Sequence, residues 1–287
     1  MNTIYISDLD GTLLTKEATL SDFTRSTLSH LLHEGLTFTV ASARSVASMR
    51  PILTGLNLRL PIIEFNGAFI SDLESGHHHI INHIERAIIE EIYEQILTFG
   101  CLPFVSSFNG TEDCLYYQQI INEGMQWYVN KCLEYKDKRL RAIGKLSDSF
   151  ADQVVSLTVI DQVDVLLELE SSIKEKYGNT VNIHLFENQY SPGWYWLTVQ
   201  HHRATKAQAI QTLLQTFALH DHELVVFGDH NNDLEMFQLA NRALAVTNAT
   251  AELKRHATHL IGSHIEDSVV TFIRDDWTEK LSNKKLS

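Results

Sequence analysis

The chain has 287 residues, of which 44% are hydrophobic and 21% charged, a balance that suits one large or two smaller globular domains and is unlike a disordered chain. Acidic residues outnumber basic ones 36 to 23, a formal net charge of -13, which argues against a partner held mainly through nucleic-acid phosphates. No run approaches the roughly 18 apolar residues of a membrane span.

In chain order, the first element is a strand over TIYIS (3–7), followed at once by DLDGT. With an acid already at position 8 and no basic segment and apolar core before it, secretion is not expected. Ser21 to Glu34 has helical spacing in Phe23, Leu28, Leu31 and Leu32 and ends at Gly35, a helix terminator. A second strand, LTFTVA (36–41), runs into ASARS, where Ser45 can cap the next helix. From about Ile84 the character changes. The amphipathic IERAIIEEIYEQILTF, the strand-like QVVSLTVI, the charged helix VDVLLELESSIKEKY and VNIHLFE read as an α+β insert over 84–191. Turn chemistry flanks it, with Gly76 and three histidines before it and SPG (191–193) at its end. A helix over Thr205–Leu219, the strand ELVVF (223–227), a helix from Asn232, then RALAV and THLI follow, and the polar tail after Trp277 is expected to fray. Strands alternating with helices predict an α/β core with a parallel sheet, assembled from 1–83 and 192–287. Cys101, Cys114 and Cys132 are odd in number and lack CxxC spacing, which fits a reducing cytoplasm better than a disulfide framework or a zinc knuckle.

Four short pieces carry chemistry. Asp8 and Asp10 follow the first strand, Ser42 follows the second, Lys206 lies in the first turn of a helix, and Asp229 and Asp233 bracket two asparagines after ELVVF. Each alone reads equally well as a turn or a cap. Lys206 stands out because a cation there opposes the helix dipole, so an anion nearby would explain it. In an open parallel sheet, ligands bind outside the carboxyl ends of the strands, and three of the four pieces sit at such ends. His77, His78 and His79 are adjacent and so cannot all face one ion. His201, His202 and His230 could be structural or approach the site. Arg44 reads as a salt bridge locking its loop, and Trp127, Trp194 and Trp196 as core packing before cleft lining.

The four pieces, in this order and over nearly the whole chain, resemble the haloacid dehalogenase (HAD) phosphohydrolases of the Cof type (IIB). DLDGTLL is similar to the family's DxDGT, Ser42 to the hydroxyl of its second motif, Lys206 to its lysine, GDHNND to GDxxND, and PIIEFNGAFI to the strand and turn before the cap. The short interval from Asp10 to Ser42 and the long one from Ser42 to Lys206 match a large cap of the second insertion type (C2). The resemblance implies a Rossmann-like parallel-sheet core with an inserted α+β cap at 84–191 that selects substrate. It makes Asp8 the nucleophile and Asp10 the general acid and base. It also implies phosphate binding by Leu9, Ser42, Ala43, Lys206 and Asn232, and Mg2+ held by Asp8, the Asp10 carbonyl and Asp229, with Asp233 orienting a water or Lys206 from behind. Ala43 and Ala207 stand where glycines are usual, adding β-carbons beside backbone that should approach phosphate.

Two aspartates in these roles need different environments, with Asp8 ionised and Asp10 raised so that it carries a proton. Three carboxylates against one lysine leave such a site negative before a phosphate dianion enters. Like charges 4 Å apart repel by about 1 kcal/mol in water and about 4 at an effective dielectric near 20. A divalent cation is therefore required, and hard oxygen ligands without Cys or His point to Mg2+. The expected activity is a phosphatase acting on small phosphorylated metabolites, sugar phosphates foremost, with no nucleic-acid or membrane partner and an open oligomeric state. The alternatives are a phosphomutase or phosphotransferase using the same aspartyl-phosphate, and a phosphometabolite-binding regulator without turnover.

Overall fold

A computed structural model of the chain describes residues 2–188 and 190–286, with side chains of the C-terminal helix described as far as Ser282. The strand β1 (Thr3–Ser7) is buried along its whole length, as expected for a strand covered on both faces. The helix α1 (Asp22–His33) starts where Ser21 Oγ accepts from Thr24 N at 2.9 Å and buries Leu28, Leu31 and Leu32. After β2 (Thr37–Val40), Ser45 caps α2 (Val46–Leu53) as predicted, and the chain continues through β3 (Ile62–Glu64), β4 (Phe69–Ser71) and β5 (His78–Ile81).

Residues 81–204 form a compact unit of their own. It contains α3 (Arg86–Thr98), β6 (Phe104–Phe108), β7 (Asp113–Tyr117), α4 (Glu123–Glu134), β8 (Leu140–Ala142), β9 (Gln153–Asp161), α5 (Val163–Tyr177), β10 (Val181–Glu187) and β11 (Tyr195–His201). The strands make one sheet in the order β10-β11-β9-β6-β7-β8. An apolar cluster that includes Ile92, Ile96, Leu166 and Ile173 packs α3 and α5 against it, and a second joins Met125 and Val129 of α4 to Phe104, Leu115 and Ile160. The sequence boundary at 191 falls short of the end of this unit. β11 is paired antiparallel with both β9 and β10 through continuous registers, and those backbone bonds keep 195–201 with the insert.

The other unit, residues 1–80 and 205–287, is completed by α6 (Lys206–Thr216), β12 (Glu223–Gly228), α7 (Leu234–Leu239), β13 (Arg242–Val246), α8 (Ala251–His256), β14 (His259–Ile261) and α9 (Ser268–Leu286). Its main sheet is parallel in the order β14-β13-β12-β1-β2. Growth from β1 runs one way to β2 and the other way to β12, so the strand order reverses beside β1. Such a reversal opens a crevice at the carboxyl ends of the strands. Ser7 is in register with Val40 on one side and Phe227 on the other, so the loops that leave the three strands start level.

The tail after Trp277 does not fray as expected; α9 continues to Leu286. Tyr5 donates its hydroxyl to Asp276 Oδ2 at 2.5 Å, Arg242 donates to both Asp276 oxygens, and Lys280 Nζ reaches Glu223 at 2.6 Å and Asp276 at 3.0 Å. Burial alone would raise the Asp276 carboxyl, but hydrogen bonds from Arg242, Tyr5 and Lys280 hold it well below the usual carboxylate range. A group depressed in the native state adds stability above its unfolded pKa, roughly 3.9, and loses it as pH falls below that value. Asp276→Asn is therefore expected to cost about 2 kcal/mol in urea unfolding at pH 7, with the deficit closing below about pH 3. An unchanged midpoint at pH 7 would remove this cluster as the anchor of α9.

His77, His78 and His79 take different surroundings, as their adjacency requires. His78 stacks on Phe69 with ring centroids 4.2 Å apart, while His77 and His79 meet edge to face. Among the described residues no helix is long and apolar enough to cross a membrane.

Candidate active site

The loop that leaves β1 is drawn tight against the loop that leaves β12. Asp8 N donates to Phe227 O at 3.0 Å, which sets the Asp8 side chain at the rim of the sheet, where it is nearly fully buried. Gly11 follows with φ 71°, and a β-carbon there would collide with the Asp229 carboxylate, so both the backbone angle and the close approach require glycine. Thr12 Oγ1 donates to Asp229 Oδ1 at 3.1 Å, and Asn248 Nδ2 donates to Gly11 O at 2.7 Å.

Lys206 is the first residue of α6, whose start is capped by Thr205. Its ammonium is fully buried and donates to Asp8 Oδ1 and to Asp233 Oδ1, each at 2.6 Å. The anion that its position demands is thus a pair of protein carboxylates. The other oxygen of Asp233 accepts from Asp229 N at 3.0 Å and His230 N at 3.1 Å. Both Asp233 oxygens are committed to holding Lys206 and the loop.

Arg44 meets Asp10 as a two-pronged pair, Nε to Oδ2 at 2.6 Å and Nη2 to Oδ1 at 2.7 Å, the planar match that guanidinium and carboxylate favour. Ser42 is buried, its N donates to Ile63 O at 2.9 Å, and its hydroxyl accepts from Arg44 N at 3.2 Å. Ala43 next to it is exposed. Leu9 is fully buried in the core. Asn232 is half-buried and donates to Asn66 Oδ1 at 3.1 Å. Of the predicted residues, Asp8, Lys206, Asp229 and Asp233 form one cluster. Asp10 with Arg44, and Ser42 with Ala43, lie on its flanking loops, and Asn232 is tied to the turn after β3. Thr12 and Asn248 were not singled out from the sequence, although Thr12 lies inside DLDGT, whereas Asn66 belongs to the PIIEFNGAFI strand and turn that the sequence did point to.

Charge crowding dominates the cluster. Burial pushes the Asp8 carboxyl well above its ordinary value; Lys206 pulls it down, and Asp233 and Asp229 push it up again. Burial and then Asp233 push Asp229 up to about 7. Burial opposes the charge on Lys206, yet Asp233 and Asp8 together raise its pKa above the usual lysine value. Oxygens of Asp8, Asp229 and Asp233 lie within 4.8 Å of one another. One lysine among three close carboxylates, with no Cys or His in the set, is a donor array that fits a hard divalent cation.

The sequence profile of the haloacid dehalogenase-like hydrolases matches residues 5–273. Among curated relatives, an HMP-PP phosphatase of Citrobacter koseri is 26% identical, with 95% of this chain and 94% of that protein aligned. A 5-amino-6-(5-phospho-D-ribitylamino)uracil phosphatase of Bacillus subtilis is 20% identical over 93% of this chain and 95% of its own. Among solved structures, a haloacid dehalogenase-like hydrolase from Bacteroides thetaiotaomicron superposes with a TM-score of 0.79 at 22% identity, covering 96% of this chain and 99% of that one. A match of the family profile along nearly the whole chain, with the same α/β architecture, makes this protein an enzyme of the haloacid dehalogenase-like hydrolase family.

Proposed function

We propose that the protein is a Mg2+-dependent phosphatase of small phosphorylated metabolites, sugar phosphates foremost, working through an aspartyl-phosphate on Asp8. The observation that carries this reading is the buried grip of Lys206 on Asp8 and Asp233 beside Asp229. It orients one carboxylate at a strand end, and its cation favours the charged form that a nucleophile requires against the burial that opposes it. Asp8, Asp229 and the Asp10 carbonyl would hold the metal, which supplies positive charge against the phosphoryl oxygens.

With Oδ1 committed to Lys206, Oδ2 of Asp8 attacks phosphorus, and the bond from phosphorus to the ester oxygen breaks. Asp10 gives its proton to the leaving oxygen, then takes one from the water that cleaves the aspartyl-phosphate, restoring Asp8 and releasing phosphate. Ser42 Oγ, the Ala43 N–H, Lys206 and Asn232 donate to the phosphoryl oxygens as charge shifts during transfer. Arg44 accompanies this cycle. Both Asp10 oxygens accept from its guanidinium, and the incoming phosphoryl group offers that guanidinium a competing anion. The cap, which we assign as the substrate-selecting domain, supports a hydroxylated organic part. Cross-strand pairing lines up Ser106, Ser156 and Gln200 in one row and Thr158 and Thr198 in the next, hydroxyl and amide groups on a sheet face where packing alone favours β-branched apolar residues. The Bacillus subtilis relative is named for a substrate with its phosphate on a D-ribityl chain.

The test is a phosphate-release screen over sugar phosphates, nucleotides, pyridoxal phosphate, flavin mononucleotide and p-nitrophenyl phosphate. Free phosphate is expected with Mg2+, with at least about a hundredfold loss in EDTA, because the uncompensated carboxylates repel the substrate. Release from none of the esters, or release indifferent to EDTA, rejects the reading.

A further inference from the structure

A buried acid outside the catalytic cluster sits behind the second motif. Glu64, the last residue of β3, is 0% exposed, an expensive location for a carboxylate unless its oxygens are held. Oε2 accepts from Val46 N, the first residue of α2, and Oε1 accepts from Ser71 Oγ, both at 2.5 Å. The Ser71 hydroxyl oxygen also lies 2.6 Å from His78 Nδ1. The carboxylate therefore occupies the positive end of α2, where an anion is stabilised, and is braced from behind by β4 and β5.

The same stretch of chain touches the neighbouring loops through its backbone. Phe65 N donates to Arg44 O at 3.0 Å and Asn66 N to Ser42 O at 2.9 Å. Phe65 and Asn66 have φ of 48° and 55°, a region costly for residues other than glycine, so surrounding contacts must hold this turn. Asn66 Oδ1 takes the amide of Asn232, and a β-carbon on Gly67 would lie 2.5 Å from Thr205 O, next to Lys206. One four-residue turn thus abuts three of the motif loops.

We infer that Glu64 is a positioning residue: through Val46 N it fixes the start of α2, and so the turn Ser42–Ser45 that presents Ser42 Oγ, the Ala43 N–H and Arg44. It touches no reacting atom. The inference builds on the phosphatase reading, because it assigns a purpose to the rigidity of that turn, but its structural half can be read without activity.

Three variants test it. Glu64→Gln keeps an oxygen for Val46 N and an amide for Ser71. Glu64→Ala removes both contacts, and Ser71→Ala removes only the hydroxyl at Oε1, leaving His78 Nδ1 3.8 Å from that oxygen. Hydrogen exchange of the peptide spanning 42–49, the KM for p-nitrophenyl phosphate and the inhibition constant for orthovanadate are measured on each. Glu64→Ala is expected to speed exchange in 42–49 at least tenfold relative to the rest of the core and to raise KM and the vanadate constant about tenfold. Glu64→Gln should restore both to within about threefold, with Ser71→Ala between them. Should Glu64→Ala fail to fold, the order wild type, Glu64→Gln, Ser71→Ala must still hold. Unchanged exchange in 42–49, or unchanged KM and vanadate constants despite faster exchange, overturns the inference. A wild type that neither hydrolyses phosphate esters nor binds vanadate sinks the phosphatase reading instead, while the exchange comparison still decides whether Glu64 holds the turn.

Discussion

Asp8→Asn is expected to abolish phosphate release, by more than about a thousandfold, because the amide cannot form the acyl-phosphate bond that divides the reaction into two steps. The same change should leave the fold intact. Asp8 is buried among like charges that push its carboxyl upward, so exchanging it for an isosteric neutral group relieves crowding, while Lys206 keeps Asp233 as a partner at 2.6 Å. Steady-state assay with p-nitrophenyl phosphate and Mg2+, alongside a thermal melt, separates the two effects. Retained turnover in a well-folded variant would remove Asp8 as the nucleophile. A collapse of the melt would mean that Asp8 is chiefly structural.

Lys206→Met has the opposite balance and should damage stability as well as activity. Removing one partner of a buried ion pair costs about 3–5 kcal/mol, since the remaining charge is left in a low-dielectric site, and here two carboxylates lose the same cation. The pH dependence follows from the sign of the shifts. Asp229 is pushed up to about 7 in the native protein, against roughly 3.9 for an unfolded aspartate. Between those values the native state holds a proton that the unfolded chain has released, so this group's contribution falls as pH rises through about 7. Without Lys206 the charge on Asp8 and Asp229 loses the cation that favours it, and the deficit in urea unfolding should be larger at pH 8 than at pH 5.5. Equal deficits at the two pH values would show that Lys206 acts by packing rather than by charge.

Much of the core was legible because its signals are local. TIYIS and ELVVF are short apolar runs that can be buried only as inner strands, and each is followed immediately by its acidic motif, so the strand end and the chemistry come from the same dozen residues. The caps at Ser21 and Ser45 were legible for the same reason. Features decided by distant partners were not. YWLTVQH alternates as either a core or a cap strand would, and only pairing with Gln153–Asp161 and Val181–Glu187 assigns it. The polar tail reads as frayed until Asp276 and Lys280 meet Tyr5, Arg242 and Glu223. Glu64 is a single acid at the end of an apolar run, and nothing in its neighbours announces that both of its oxygens are buried and occupied. Asp10 was expected to stand ready with a proton, whereas its oxygens face the Arg44 fork.

The pairing of β1 with β12 also bears on how the molecule comes into being. Thr3 to Ser7 lie against Glu223 to Phe227, so the central strand of the core waits for a neighbour synthesised more than two hundred residues later. Contacts of such long range must meet the entropy of loop closure before they gain anything, and they slow folding. The inserted sheet has no such delay, since its strands find their partners among residues 104–201. Synthesis from the N-terminus is therefore expected to complete the insert first and to seal the core strand that ends at Asp8 among the last, when the chain beyond Glu223 emerges.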